Sequence, residues 1–145
     1  MRGPTRTILA ACLAVGSLTW AIPAAAEHRP GPCALEREED EGPRFWSIRL
    51  IQCATDEWTV PGGAERAICI AEAESGLDPK AKSPRGEYLG LFQHAADAWP
   101  DRYLEWTKRR WQLDDRPLNA RTNTIVTIRL VNADGWGPWR HAGDC

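Results

Sequence analysis

Residues 69–93, CIAEAESGLDPKAKSPRGEYLGLFQ, join a helical pattern to a polar stretch that is punctuated by glycine. Alanine and isoleucine recur with helical spacing in residues 64–75, and Gly76 stands where such a helix ends. Pro79 prevents the helix from resuming. Residues 83–93 lack the helical period and hold glycines around an aromatic residue, which predicts a short β-hairpin or loop.

Glu74 lies at the predicted C-terminus of this helix, directly before Ser75-Gly76. The negative end of the helix dipole and partial burial both disfavour a charged carboxylate there, so they raise its pKa. An acid that stays protonated near neutral pH can donate to the leaving oxygen of a glycosidic bond. Glu72 lies about 200° around the helix and cannot face the same cleft. The apolar stripe leaves both choices open, and the adjacent turn favours Glu74.

Two segments resemble the active-site region of the lysozyme superfamily: CIAEAESGL, residues 69–77, and SPRGEYLGLFQ, residues 83–93. Animal c-type lysozymes have a Cys five residues before the catalytic Glu-Ser, as Cys69 stands before Glu74. Bacterial soluble lytic transglycosylases have Glu-Ser, then Asn-Pro-x-Ala-x-Ser, to which DPKAKS at 78–83 is similar, and then Gly-Leu-(Met/Phe)-Gln. Residues 123–139, NTIVTIRLVNADGWGPW, are similar to the last helix and the following segment of the family.

The resemblance implies an α+β, mostly α, lysozyme-like fold with a small β-hairpin. It implies a secreted enzyme, a muramidase or lytic transglycosylase, that cleaves the β-1,4 bond between N-acetylmuramic acid and N-acetylglucosamine of a peptidoglycan glycan strand. Glu74 would be its single general acid. The alternatives are a non-catalytic lysozyme-fold module that binds glycan or protein, and a small disulfide-stapled structural or inhibitor protein. The implied substrate-binding residues are Ser75, Tyr88, Gln93, Asn132 and Trp136.

Glu87 is a possible second carboxylate, because it stands one residue before Tyr88, where c-type lysozymes place an Asp. One extra residue before Gly90 could turn it away from the cleft, and it would then be a solvated loop acid. Asp78 is the other candidate, although an Asp before Pro79 more often forms a turn.

Four cysteines remain beyond the first 26 residues: Cys33, Cys53, Cys69 and Cys145. An even number in a small exported protein predicts two disulfides, and four cysteines allow three connectivities. The resemblance implies Cys69 with Cys145 and Cys33 with Cys53. The cysteine spacing fits no zinc motif and the histidines are scattered, so we expect no metal and no cofactor.

Residues 1–26 have a basic start, an apolar run and an Ala-x-Ala end, which predicts a secretory signal peptide and a secreted, extracytoplasmic protein. A lipoprotein box at Cys12 is the rival interpretation. An acidic, Pro/Gly-rich arm, residues 27–44, precedes the catalytic domain, residues 45–145. Residues 27–145 hold 16 Lys and Arg against 20 Asp and Glu, a net charge of −4 that argues against nucleic acid. We expect a monomer that has no membrane contact after signal cleavage.

Three further helices are predicted. The first begins at Phe45 and has Phe45, Ile48, Ile51 and Gln52 on one face, the second covers 96–110 with an interruption near Pro100, and the third covers 119–132. Trp46, Trp58 and Trp106 are assigned to packing, His94 to a loop, and Trp136 and Trp139 either to the core or to the cleft.

Overall fold

The computed structural model describes residues 30–145, so the predicted signal peptide and Cys12 lie outside the described residues. The described part of the chain has four α-helices and one two-stranded antiparallel sheet. Their bounds are α1 Pro43–Glu57, α2 Gly63–Ser75, β1 Tyr88–Leu89, β2 His94–Ala95, α3 Trp99–Trp106 and α4 Ala120–Asp134. Short 3-10 turns occupy Arg109–Trp111 and Gly137–Trp139. The predicted class, mostly helical with one small hairpin, is confirmed.

The core lies between α1, α2 and α4, and residues from all three helices are fully buried there. The buried face of α1 is Ser47, Leu50, Ile51 and Ala54, so the predicted face is right at Ile51 and wrong at Phe45 and Gln52. Phe45 is 67% exposed. The true stripe has the helical period but contains a polar Ser47, which a search for apolar residues passes over.

Helix α3 is shorter than predicted and is not interrupted at Pro100. It begins at Trp99, so Pro100 occupies its first turn, where the missing N–H of proline removes no helical hydrogen bond. Pro100 therefore starts the helix. The two residues before the predicted helix, 94–95, form strand β2.

The hairpin pairs Tyr88 with Ala95 and Leu89 with His94, and residues 90–93 form the turn between them. Its second strand thus begins one residue beyond the predicted 83–93 segment. Lys82 adds an antiparallel bridge to Leu89 on the other side of β1. The assignment of His94 to a loop is wrong, because it lies in β2 and is completely buried.

Both disulfides form with the pairing that the resemblance implied. Cys33–Cys53 joins the N-terminal arm to α1, and Cys69–Cys145 joins α2 to the C-terminal chain. Two disulfides suit an oxidising, extracellular environment. No helix within residues 30–145 is both long enough and apolar enough to cross a membrane.

The three tryptophans that were predicted to pack against the core do so. Trp58 and Trp106, with Trp111, surround the guanidinium of Arg129 on α4 at 5.2 to 5.9 Å from their ring centroids. Such cation–π contacts favour a charged group beside aromatic rings. They fix the segment after α3 against α4.

Candidate active site

Glu74 lies on the last turn of α2 and faces an open groove of about 290 Å³. Gly76 ends the helix in the left-handed conformation, with φ of 63°, and its N–H bonds back to the carbonyls of Ala71 and Glu72. The groove is lined by Glu74, Tyr88, Gln93, Pro138 and Trp139. The C-terminus of α2 therefore presents one carboxyl group to a cleft with aromatic walls.

The surroundings of Glu74 favour its protonated form. Burial raises the pKa of Glu74 above its ordinary value, because the half-buried carboxylate loses water. None of the salt bridges between residues 30 and 145 involves Glu74. Glu72 instead lies outside the groove, where its exposed carboxylate accepts a hydrogen bond from Arg44 at 2.5 Å.

The turn of the hairpin, residues 90–93, is docked directly onto the end of α2. The hydroxyl of Ser75 donates to the Leu91 carbonyl at 2.7 Å. Gly90 has φ of 81°, and a Cβ there would overlap the Pro117 carbonyl oxygen and the Asn123 amide. Only glycine fits this close approach. The Gln93 Nε2 donates to the Gly90 carbonyl at 2.8 Å, so the turn also fixes a groove residue.

A buried polar chain supports this turn from below. Asn123 accepts the Phe92 N–H at 3.0 Å and donates to the Pro117 carbonyl at 2.8 Å. Thr127 on α4 donates to the Asn123 carbonyl, and its hydroxyl lies 2.7 Å from His94 Nε2. Each of these buried groups has a partner, as buried polar groups require.

His94 ends that chain as a neutral imidazole. Arg102 Nη1 lies 2.9 Å from His94 Nδ1, and because a guanidinium can only donate, Nδ1 accepts and Nε2–H donates to Thr127. Burial, with a smaller contribution from the charge of Arg102, lowers the pKa of His94 to about 3. His94 thus serves the structure under the groove.

The structure separates the two tryptophans of the segment GWGPW, residues 135–139. Trp139 lines the groove, donates to the Phe92 carbonyl at 2.8 Å and packs edge-on against His94. Trp136 is equally buried and packs edge-on against Trp139, but it does not line the groove and donates to the Pro61 carbonyl. Gly135 precedes Trp136 and Gly137-Pro138 precedes Trp139, so the local sequence is similar and only packing distinguishes the two.

Of the residues predicted to bind substrate, Tyr88 and Gln93 meet Glu74 in the groove. Ser75 is adjacent, with its hydroxyl bonded to Leu91. Asn132 and Trp136 do not line the groove, and Asn132 bonds instead to the Thr59 carbonyl. Sequence analysis passed over Pro138, which carries no chemical signal of its own.

Neither candidate second carboxylate lines the groove. Glu87 pairs with Arg85 at 3.2 Å and lines a neighbouring hollow with Tyr88 and Asp97. Asp78 accepts the Lys80 N–H at 2.8 Å, so it forms the turn that follows α2. Among the described residues that line the groove, Glu74 is the sole carboxylate.

Within residues 30–145, no cluster of three His, Cys, Asp or Glu side chains could hold a metal ion. Comparison of the chain with protein-family models, with curated proteins and with solved structures found no match.

Proposed function

We propose that this protein is a secreted, peptidoglycan-cleaving enzyme of lysozyme-like fold that uses Glu74 as general acid on the β-1,4 bond between N-acetylmuramic acid and N-acetylglucosamine. The observation that carries the proposal is the setting of Glu74, a half-buried carboxyl with a raised pKa in an open groove. A helix ending in Glu-Ser whose end is bonded to a hairpin turn supports the lysozyme-like assignment.

The groove offers contacts that suit a sugar chain. Tyr88, which is 50% exposed, supplies aromatic surface for the apolar face of a sugar ring, and the largely buried Trp139 adds a small part of the lining. The Nε2 of Gln93 is held by the turn, which leaves its Oε1 to accept from a hydroxyl or an N-acetyl N–H. Ser75 and Trp136 support these groups from behind, through Leu91 and Trp139.

The proposed reaction begins when protonated Glu74 donates to the glycosidic oxygen while the bond from that oxygen to the anomeric carbon breaks. The transition state resembles an oxocarbenium ion. No second carboxylate lines the described groove, so water or a hydroxyl of the sugar itself completes the reaction at the anomeric carbon. The Glu74 carboxylate then accepts the proton of that nucleophile and regenerates the acid.

We expect Glu74→Gln to lower the rate of peptidoglycan cleavage by about 10² or more, because the amide keeps the shape but has no transferable proton. The measurement is loss of turbidity of purified peptidoglycan, with mass analysis of the released fragments. Since burial raises the pKa of Glu74, wild-type activity should fall as pH rises through that pKa.

Glu72→Gln is the matched control, because it makes the same chemical change on the same helix outside the groove. It should retain most activity, and both variants should keep the wild-type circular dichroism. Greater damage from Glu72→Gln would contradict the assignment of the acid. A wild-type protein that binds glycan but releases no fragments would indicate the non-catalytic module instead.

A further inference from the structure

A second pocket, of about 260 Å³, lies beside Leu89 of β1 and shares no lining residue with the groove. Its lining is Lys80, Lys82, Leu89 and residues 116–119, and we call it the cationic pocket. Three of the described residues that line it are cations and none is a carboxylate. This concentration of positive charge contrasts with the net charge of −4 of residues 27–145. An anionic group is therefore the ligand that the pocket fits.

The two lysines supply the available charge of the cationic pocket. Arg116 is already bonded to Asp114, at 2.8 and 2.9 Å, which offsets its charge. Lys80 donates one N–H to the Leu118 carbonyl at 2.9 Å, and an ammonium has three donors, so two remain. Lys82 is exposed at the rim. Two ammonium groups on a pre-formed wall suit carboxylates.

The cationic pocket and the groove share the same small sheet. Tyr88 lines the groove and Leu89, the next residue of β1, lines the pocket. Successive strand residues face opposite sides, so the two sites lie back to back across the hairpin. Gln93 in the groove also bonds to the carbonyl of Ala81, which stands between Lys80 and Lys82. An extended tetrapeptide spans roughly 13 Å, whereas the Cα atoms of the adjacent residues Tyr88 and Leu89 are about 3.8 Å apart.

We propose that the cationic pocket binds the carboxylates of the peptide stem that peptidoglycan carries on N-acetylmuramic acid. The choice of this anion rests on the proposed function, whereas the binding itself does not require turnover. The N-acetylmuramic acid units of the proposed substrate carry acidic peptide stems, and the adjacent residues Tyr88 and Leu89 place the groove and the pocket next to each other. The pocket therefore gives the protein a preference for peptide-bearing over bare glycan.

The test measures the affinity of the mature protein for the free stem tetrapeptide, L-Ala-γ-D-Glu-diaminopimelate-D-Ala. Calorimetry gives the dissociation constant, and NMR detects the residues that the peptide contacts. Lys82→Gln should weaken binding by about fivefold, the upper range for one exposed ion pair. Lys82→Arg should keep it, because the charge remains. Arg110→Gln is the control, since it removes an exposed cation that does not line the pocket. The same peptide with amidated carboxylates should not bind.

Cleavage assays separate this inference from the proposed function. Lys82→Gln should raise KM for peptide-bearing glycan and leave cleavage of peptide-stripped glycan unchanged. Cleavage of both glycans without any binding of the free peptide would overturn the pocket and leave the function standing. Lys82-dependent binding of the peptide, with no cleavage of either glycan, would support the pocket and overturn the function. Equal binding of the amidated peptide would also overturn the pocket.

Discussion

Glu72 and Glu74 differ by two positions on α2 and by nearly everything in their surroundings. Glu72 is exposed and paired with Arg44, whereas Glu74 is half-buried in the groove with burial as the cause of its raised pKa. A helix turns about 100° per residue, so two positions separate a solvated carboxylate from one that is partly desolvated. In the sequence, the adjacent Ser-Gly turn is the one feature that favoured Glu74 over Glu72 as the residue facing the cleft.

We expect Glu87→Gln to lower the cleavage rate by no more than about tenfold, roughly 1.4 kcal/mol of barrier. Glu87 pairs with Arg85 on a solvated surface and does not line the groove, so it can assist only indirectly. Initial rates on purified peptidoglycan, measured beside Glu74→Gln, provide the comparison. A loss as large as that of Glu74→Gln would make this a two-carboxylate enzyme.

The hairpin is too short to be stable alone, since each of its strands has two residues. Its stability comes from what lies around the turn: Ser75 at the end of α2 and the chain from Asn123 through Thr127 to His94. Because the groove residues Tyr88 and Gln93 lie on this hairpin, α4 holds the substrate side of the cleft through buried hydrogen bonds. The element that carries the site is thus held mainly by its neighbours.

We expect stability to fall as pH drops from about 6.5 towards about 3, and His94 to cause part of that fall. An unfolded chain binds a proton at its histidine near pH 6.5, whereas buried His94 binds one only near pH 3. Between these values the unfolded state holds more protons, so acid favours unfolding by up to about 1.4 kcal/mol per pH unit. Urea unfolding at a series of pH values measures the slope.

The reference for that experiment is His94→Gln, which removes the titration and keeps a side chain capable of hydrogen bonding. The variant should be less stable at pH 7 and should show a shallower slope between pH 5 and 6.5. The contribution of Glu74 to the slope is present in both proteins and cancels. Identical slopes would mean that His94 binds its proton equally in the native and unfolded states, which would contradict the lowered pKa.

The C-terminal end of α2 was predicted correctly, whereas the burial of Ser47 on α1 and of His94 on β2 was not. The end of α2 at Ser75-Gly76 follows from glycine and proline chemistry, which is local. The buried face of α1 depends on Ser47, whose burial is decided by the helices around it. The burial of His94 has the same origin, because its partners lie 8 and 33 residues away.

The site follows the same division. Glu74, Tyr88 and Gln93 come from one contiguous segment, so their spacing in the sequence is enough to bring them together. Trp139 comes from the segment that follows α4, and this segment also contains Trp136. Which of them reaches the groove is settled by Trp136 bonding to the Pro61 carbonyl, a contact between residues 75 positions apart.

At the scale of the whole molecule, the disulfides join parts of the chain that differ greatly in separation. Cys33–Cys53 spans 20 residues and Cys69–Cys145 spans 76. The longer bridge holds α2, and with it Glu74, against the C-terminal chain. Because the cost of closing a loop grows with its length, the longer bridge should restrict the unfolded chain more strongly.

We therefore expect the paired change Cys69→Ser and Cys145→Ser to cost about 4.5 kcal/mol, and Cys33→Ser with Cys53→Ser to cost about 3.3 kcal/mol. The two double variants remove the same chemistry and are controls for each other. Free energies of unfolding from urea titrations give the order. A larger loss from the Cys33–Cys53 change would show that native packing around the arm, and not loop length, sets the effect.

The native pairing divides the covalent chain into two closed rings that follow one another along the sequence, residues 33–53 and residues 69–145. Neither ring contains a cysteine of the other, so no segment has to thread through a ring that is already shut. The competing link between Cys53 and Cys69 is shorter than either, but it would join the C-terminal part of α1 to the middle of α2. Once those helices are in place, the two bridges can oxidise in either order.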